Sequence, residues 1–431
     1  MRDRHKEQNR ISTLISLIIA GEAIFVLPFV MARVFRPTLL TVFDITNTEL
    51  GLFFSIYGIV AIVSYIFGGT LADRFAARNL MAIALWLTSI GGMIMFLLPP
   101  SGIMRAIYGF WGFTSIFLFW AAMIRATREW GGSGFQGRAF GWLEGGRGAT
   151  AAVTGTIALV LFSHISADTS PGIPDPNGIH AFQMVILVFS AMTFLSGLLV
   201  WYFVPKTQSD IESEPLGESL RRVMKLIRMP SVWMLAVIIV CAYVGYKSTD
   251  DFSLYAREVL GFSEADAAGI GTAALWLRAL VAILAGYLAD RFEPIKVLIV
   301  CFGLTLVCGL LVGMGWLDQI LGLILLNLTL TAVGIYGVRA IYFATMKEAK
   351  IPFGYTGTAV GIVSFVGFTP DIFMGPWMGH LLDEYAGETG HQFVFLLLSS
   401  FAVIGLITSI IFKGYGKKAG NAVMRTEIIN E

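Results

Sequence analysis

Residues 68–75, Gly-Gly-Thr-Leu-Ala-Asp-Arg-Phe, return at residues 285–292 as Ala-Gly-Tyr-Leu-Ala-Asp-Arg-Phe. Six of the eight positions repeat at one offset: Gly69/Gly286, Leu71/Leu288, Ala72/Ala289, Asp73/Asp290, Arg74/Arg291 and Phe75/Phe292. Each copy closes a long apolar run, so the Asp-Arg pair marks a place where the chain passes from one solvent to another. The period is far longer than that of a solenoid repeat, and it divides the 431 residues into two halves of similar size. The chain reads as a duplication. A second echo supports it: Gly137-Arg-Ala-Phe-Gly141 matches Gly357-Thr-Ala-Val-Gly361 at nearly the same offset. Small residues four apart let helices approach closely in lipid, so packing is the default reading of these glycines.

The residues are 56% hydrophobic and 14% charged, against roughly one quarter charged in a soluble domain. The apolar residues come in runs long enough to cross a hydrocarbon layer about 30 Å thick. Backbone polar groups find no water there, and the alternating pattern of barrel strands is absent, so the runs must be helices. Twelve spans are predicted near 11–36, 47–72, 79–98, 102–126, 138–163, 180–204, 230–256, 265–289, 294–316, 318–345, 355–382 and 392–413. The first run is too long for a signal-peptide core and is expected to remain as a span.

Charge is sorted by position, and the net value of +1 gives no reason to expect nucleic acid. With the N-terminus cytoplasmic, 22 of the 30 basic residues fall in interior segments, which fixes the orientation with both termini inside. The charged stretch 205–229 is the candidate linker between an N-terminal bundle, 1–204, and a C-terminal bundle, 230–431. Leu216, Leu220, Val223, Met224 and Ile227 recur there at helical spacing beside Arg221, Arg222, Lys225 and Arg228. A short helix on the membrane surface and a plain basic loop both fit. Cys241, Cys301 and Cys308 lie in apolar runs and the five histidines at run ends, so neither a disulfide nor a metal site is expected, and no cofactor. No His-Glu-x-x-His, Gly-x-Ser-x-Gly or aspartyl-dyad pattern is present, which argues against an enzyme.

Gly69, Leu71, Ala72, Asp73, Arg74 and Arg78 resemble the loop motif Gly-x-Leu-Ala-Asp-Arg-x-Gly-Arg-Arg of the major facilitator superfamily, with the weaker copy at Gly286, Asp290 and Arg291. Ala76 and Ala77 depart from the first motif, and Glu293 and Pro294 from the second. Arg105 with Gly109 and Gly112 looks like the superfamily's fourth-helix pattern. The fifth helix, Gly141-Trp-Leu-Glu-Gly-Gly-Arg-Gly148, lacks the proline typical of drug/proton antiporters. That stretch and Gly245-Tyr-Lys-Ser-Thr-Asp-Asp-Phe252 resemble the branch carrying organic phosphates and other organic anions. The resemblance implies an all-α membrane protein, twelve transmembrane helices in two pseudo-twofold-related six-helix bundles, with a small-molecule substrate bound between them. A monomer is expected.

An ionisable group at the bilayer centre costs at least about 2.5–3.5 kcal/mol, so each must face a partner or a watery cavity. The candidates for substrate binding or coupling are Glu22, Arg33, Glu144, Arg147, Lys247, Asp251, Arg278, Arg339 and Asp371. Glu22, mid-span, suits a proton load that is taken up on one side and released on the other; it also suits a structural partner for a base on another helix. Glu144 and Arg147 share a helix face and either neutralise each other or leave Arg147 free for an anion. Lys247 has helical spacing to Asp250 and Asp251. Arg147 from one half and Arg278 or Arg339 from the other are candidates for a clamp on carboxylate or phosphate. Trp111, Phe119, Trp120, Trp276, Tyr336 and Tyr342 either line the cavity or pack against lipid. Pro370 before Asp371 is expected to break or kink the eleventh helix. Gly69, Asp73, Arg74, Arg105, Gly286, Asp290 and Arg291 are candidates for a conformational latch. The expected activity is secondary transport of a small organic solute, an organic anion being favoured, coupled to H+ or to exchange across the inner or plasma membrane. Efflux of drugs or amphiphiles, and a sensor without flux, are the alternatives.

Overall fold

The computed structural model describes residues 2–131, 136–166, 176–206, 216–317, 320–346, 348–349, 351, 356–385 and 387–430. Among them, twelve helices are long and apolar enough to cross a bilayer. Spans 1 to 6 are Arg10–Val34, Asn47–Tyr65, Ala77–Phe96, Ser101–Gly131, Trp142–Ile165 and Pro176–Phe203. Spans 7 to 12 are Pro230–Glu258, Glu264–Arg291, Pro294–Gly313, Leu321–Met346, Ala359–Glu384 and Glu388–Tyr415. The protein is an all-α membrane protein.

Local chemistry accounts for the irregularities. Residues after Arg36, expected as loop, form a short helix, Arg36–Phe43, with Pro37 in its first turn, where a missing N–H costs nothing. Asp44 adopts the left-handed conformation at φ 50° and ends that helix. Thr46 then opens span 2: its hydroxyl accepts from the Glu49 N–H at 3.1 Å, and Glu49 Oε2 accepts from the Thr46 N–H at 3.3 Å, a reciprocal cap. Span 1 widens to a π-helix over Val26–Val30, where Pro28 supplies no N–H, and span 4 does so over Phe113–Trp120. Helix 11 is broken at Phe368 and Thr369, immediately ahead of Pro370, as proline's exclusion of the helical conformation at the preceding residue requires. The linker carries a helix at Leu216–Ile227.

Packing divides the chain into two compact units. The first holds Met1–Ile211, Asp250–Ala279 and Asp371–Gly390, and the second Glu212–Thr249, Leu280–Pro370 and His391–Glu431. Spans 7, 8 and 11 each contribute to both units. The first unit has an aromatic core of Phe35, Phe53, Tyr57, Tyr108, Trp111, Phe162, Phe182 and Phe189. Span 2 meets the second part of span 11 at bare backbone: a Cβ on Gly375 would sit 2.8 Å from the Gly51 carbonyl oxygen, and one on Gly58 2.9 Å from the Asp371 side chain. Asp383 accepts from the Asn47 N–H at 3.0 Å and the Thr48 N–H at 2.7 Å, placing a carboxylate at the positive end of span 2. The core of the second unit contains Leu235, Ile239, Leu298, Phe302, Ala402 and Phe412. Asn327 Nδ2 donates to the Cys308 carbonyl there at 2.9 Å.

Candidate functional site

Glu22 stands one turn before the π-helical segment of span 1 and is 2% exposed. Spans 1 and 5 approach closely beside it: a Cβ on Gly21 would lie 3.1 Å from Arg147 Cδ. Arg278 Nη1 of span 8 donates to Glu22 Oε1 at 3.2 Å. Arg147 Nε of span 5 lies 3.3 Å from Oε2, as an ion pair without a directed hydrogen bond on either atom. Arg147 Nη1 also donates to Glu144 Oε1 at 2.7 Å, and Glu144 is 57% exposed. The Arg147 guanidinium lies 5.4 Å from the Phe25 ring centre and 5.6 Å from that of Trp120, within range for cation–π attraction. Two guanidinium groups from different spans thus converge on one buried carboxylate. Arg147 and Arg278, proposed by their sequence positions as a clamp on a substrate anion, both lie in the first unit and meet the protein's own Glu22.

A second ion pair of the same unit joins spans 1 and 7. Arg33 Nη2 lies 2.5 Å from Asp250 Oδ1, with side chains 1% and 4% exposed, and Arg33 Nε donates to the same oxygen at 2.6 Å. Asp250, which like Asp251 has helical spacing to Lys247, accepts from Arg33 of span 1. Ser253 Oγ donates to the Arg33 carbonyl at 2.9 Å. Asp251 is fully buried in the 3-10 turn Thr249–Asp251. Asp371 is buried beside span 2, on which Tyr57 bonds Ser115 at 2.6 Å.

In the second unit Arg339 behaves differently. Its guanidinium carbon lies 3.7 Å from the centre of the Tyr246 ring and 5.6 Å from that of Tyr243. Its Nη1 is buried and has no hydrogen-bond partner, and among the described residues it forms no ion pair. Tyr336, one turn earlier on span 10, lies 6.4 Å from Tyr246 centre to centre. Lys247 is buried in the same unit. Tyr243 and Tyr246 were not singled out by sequence reasoning; their three-residue spacing on an apolar helix is indistinguishable from core packing until Arg339 is seen on it.

The latch candidates fall in both units. Gly69 and Asp73 lie on helix Asn47–Arg74, and their surroundings fall outside the described residues. Arg74, Asp290 and Arg291 are exposed, and Gly286 faces open space. Arg105 reaches Glu49 at 3.5 Å near the other end of the helices. The residue that does tie the end of span 2 is Arg125, which donates to the Ala72 carbonyl, to the Phe75 carbonyl at 3.5 Å and to Glu129 Oε1 at 2.9 Å. A buried Arg four residues before a Glu on one helix was the available signal.

The Major Facilitator Superfamily model matches residues 14–373. The inner membrane protein YqcE of Escherichia coli is 27% identical over 423 residues, 95% of this chain and 96% of that one. The inner membrane protein YihN of Escherichia coli is 22% identical over 404 residues, 91% and 93% of the two chains. A crystal structure of a bacterial homolog to the human lysosomal transporter Spinster, inward-facing and unoccupied, matches the fold with TM-score 0.75 at 15% identity, covering 95% and 98% of the two chains. Twelve spans, a duplicated Asp-Arg junction and a match across most of its length make this chain a member of the Major Facilitator Superfamily.

Proposed function

We propose that this superfamily transporter carries a small organic anion across the inner membrane by alternating access, with both termini cytoplasmic, and that Arg339 receives the anionic group of the cargo. The observation that supports this reading is the condition of Arg339. Arg33, Arg147 and Arg278 each have a carboxylate at hand within their own unit. Arg339 has an aromatic face beneath it and a buried, unoccupied donor. A cation held in an apolar environment is costly to leave uncompensated, and the Tyr246 ring offsets only part of that cost. An oxyanion offering two acceptors to the planar fork supplies the rest. The inner membrane location follows YqcE and YihN, and the orientation follows the distribution of basic residues. Transport is driven by a proton gradient or by exchange.

Uptake into proteoliposomes of radiolabelled phosphate esters, sugar acids, amino acids and cationic amphiphiles tests the reading. Accumulation of an anionic member, abolished by Arg339→Ala and weakened by Arg339→Lys, is the expected result. Transport confined to cationic amphiphiles, or unchanged in both variants, overturns it.

A further inference from the structure

Helix Leu216–Ile227 of the linker lies wholly within the second unit, and its described side chains divide among three edges. Leu226 is fully buried, in a core shared with Val232 and Leu235 of span 7 and with Ala359 and Val363 of span 11. Arg221 and Lys225, about one turn apart, and Arg228 in the turn that follows are exposed along a second edge. Met224 and Ile227, three residues apart, form the third edge and remain 53% and 38% exposed.

A tight corner fixes this helix to the start of span 7. The Met229 N–H donates to the Leu226 carbonyl at 2.9 Å, and Met229 is extended ahead of Pro230, as the residue before a proline prefers. Trp233 Nε1 donates to the Ile227 carbonyl at 2.7 Å and so satisfies one of the carbonyls that a helix end leaves open.

We infer that this helix docks on the headgroups of anionic phospholipid, with Met224 and Ile227 among the acyl chains and Arg221, Lys225 and Arg228 on the phosphates. A helix held by the bundle alone would turn its apolar residues toward the bundle. Here Leu226 does so, while Met224 and Ile227 form an apolar edge that the protein does not cover, and the boundary of a bilayer is where such an edge finds hydrocarbon. The charge is complementary to an anionic leaflet. Residues 219–229 carry four basic residues and no acid, and among the described residues neither Arg221 nor Arg228 forms an ion pair. Each Lys or Arg near an anionic surface adds to the attraction, and long stems let the charged heads reach phosphate while the axis stays at the boundary. Trp233, half-exposed at the corner, belongs to the residue type that anchors at that depth. A zwitterionic lipid supplies the hydrocarbon without the net charge, and soluble phosphate supplies the charge without the hydrocarbon. The surface fits the lipid that carries both. Through Leu226, a lipid that holds this helix also holds the start of span 7 and the first part of span 11. Nothing in this depends on the charge of the cargo or on Arg339.

Purified full-length protein in neutral detergent is titrated with phosphatidylglycerol, phosphatidylcholine or inorganic phosphate, and melting is followed by intrinsic fluorescence. Phosphatidylglycerol should stabilise wild type at lower concentration than phosphatidylcholine does, and inorganic phosphate should not stabilise it. Arg221→Gln/Lys225→Gln/Arg228→Gln should melt like wild type without lipid and require about a hundredfold more phosphatidylglycerol, as the loss of three basic contacts implies. Met224→Ser/Ile227→Ser should weaken the response to both lipids. A triple variant that responds to phosphatidylglycerol like wild type, equal responses of wild type to the two lipids, or stabilisation by inorganic phosphate overturns the inference. So does a dimer in lipid-free detergent that Met224→Ser/Ile227→Ser converts to monomer, since a second copy would then cover this edge. Should the triple variant not fold, wild type alone decides: the advantage of phosphatidylglycerol must vanish in 1 M salt, where charges are screened within about 3 Å, and its persistence there contradicts the inference.

Discussion

Arg33 and Asp250 meet at 2.5 Å with almost no exposure to solvent, although 217 residues separate them in the chain. Removing one partner strands the other as a buried charge, which costs about 3–5 kcal/mol, whereas replacing both by apolar groups of similar volume is often close to neutral. Asp250→Ala should therefore lower the melting temperature sharply, and Arg33→Leu/Asp250→Leu should recover most of the loss. A double variant as unstable as the single one would show that the pair stabilises by more than mutual compensation.

Gly51 and Gly375 bring spans 2 and 11 together at backbone distance. A Cβ on Gly51 would overlap the Gly375 carbonyl, and one on Gly375 would lie 2.8 Å from the Gly51 carbonyl oxygen. Neither neighbour is a flexible side-chain end, so the helices must separate. Gly51→Ala should cost about 1–3 kcal/mol, the usual range for overpacking, read as a lower melting temperature in detergent. Gly286→Ala, where no atom lies within 4 Å, serves as the contrast and should melt like wild type.

These contacts also mark what could be read from residues alone. Twelve spans were legible because lipid leaves an apolar run a single way to satisfy its backbone. Glu144 with Arg147 was legible because helical spacing places i and i+3 on one face, and the break in helix 11 because Pro370 announces it. Glu22 with Arg278 was not, since 256 residues separate them and any embedded base was an equal candidate. Which arginine is left without a carboxylate depends on three-dimensional pairing, so Arg278 and Arg339 were interchangeable in sequence and are distinct in structure. The helix at Arg36–Phe43 was passed over because it is short and lies outside an apolar run, although Pro37 and the Thr46 and Glu49 cap bracket it. Asp383 lies just beyond the predicted span 355–382; its role on span 2 needs the approach of Gly51 and Gly375.

Glu348, just beyond span 10, provides a pH test outside the membrane. Burial raises its pKa above the ordinary carboxylate value, the Ile295 N–H at 3.5 Å opposes the shift, and nearby Glu293 adds to it. Its Oε2 has no hydrogen-bond partner. The folded protein therefore binds this proton more tightly than the unfolded chain, and the associated stability, full below the unfolded pKa, is lost as pH rises through the folded value. Glu348→Gln should melt higher than wild type at pH 7 and converge with it below pH 4. A variant that melts lower at pH 7 would show that the ionised carboxylate is stabilising.

Arg339 on Tyr246 is the relationship on which the cargo's charge depends. The most direct measurement is a thermal-shift comparison of wild type and Arg339→Ala in detergent, across phosphate esters, sugar acids, amino acids and cationic amphiphiles. Stabilisation of wild type by anionic members, absent in a variant that is itself folded, is the predicted result. Stabilisation confined to cationic members, or an anion response that persists undiminished in Arg339→Ala, would contradict the account.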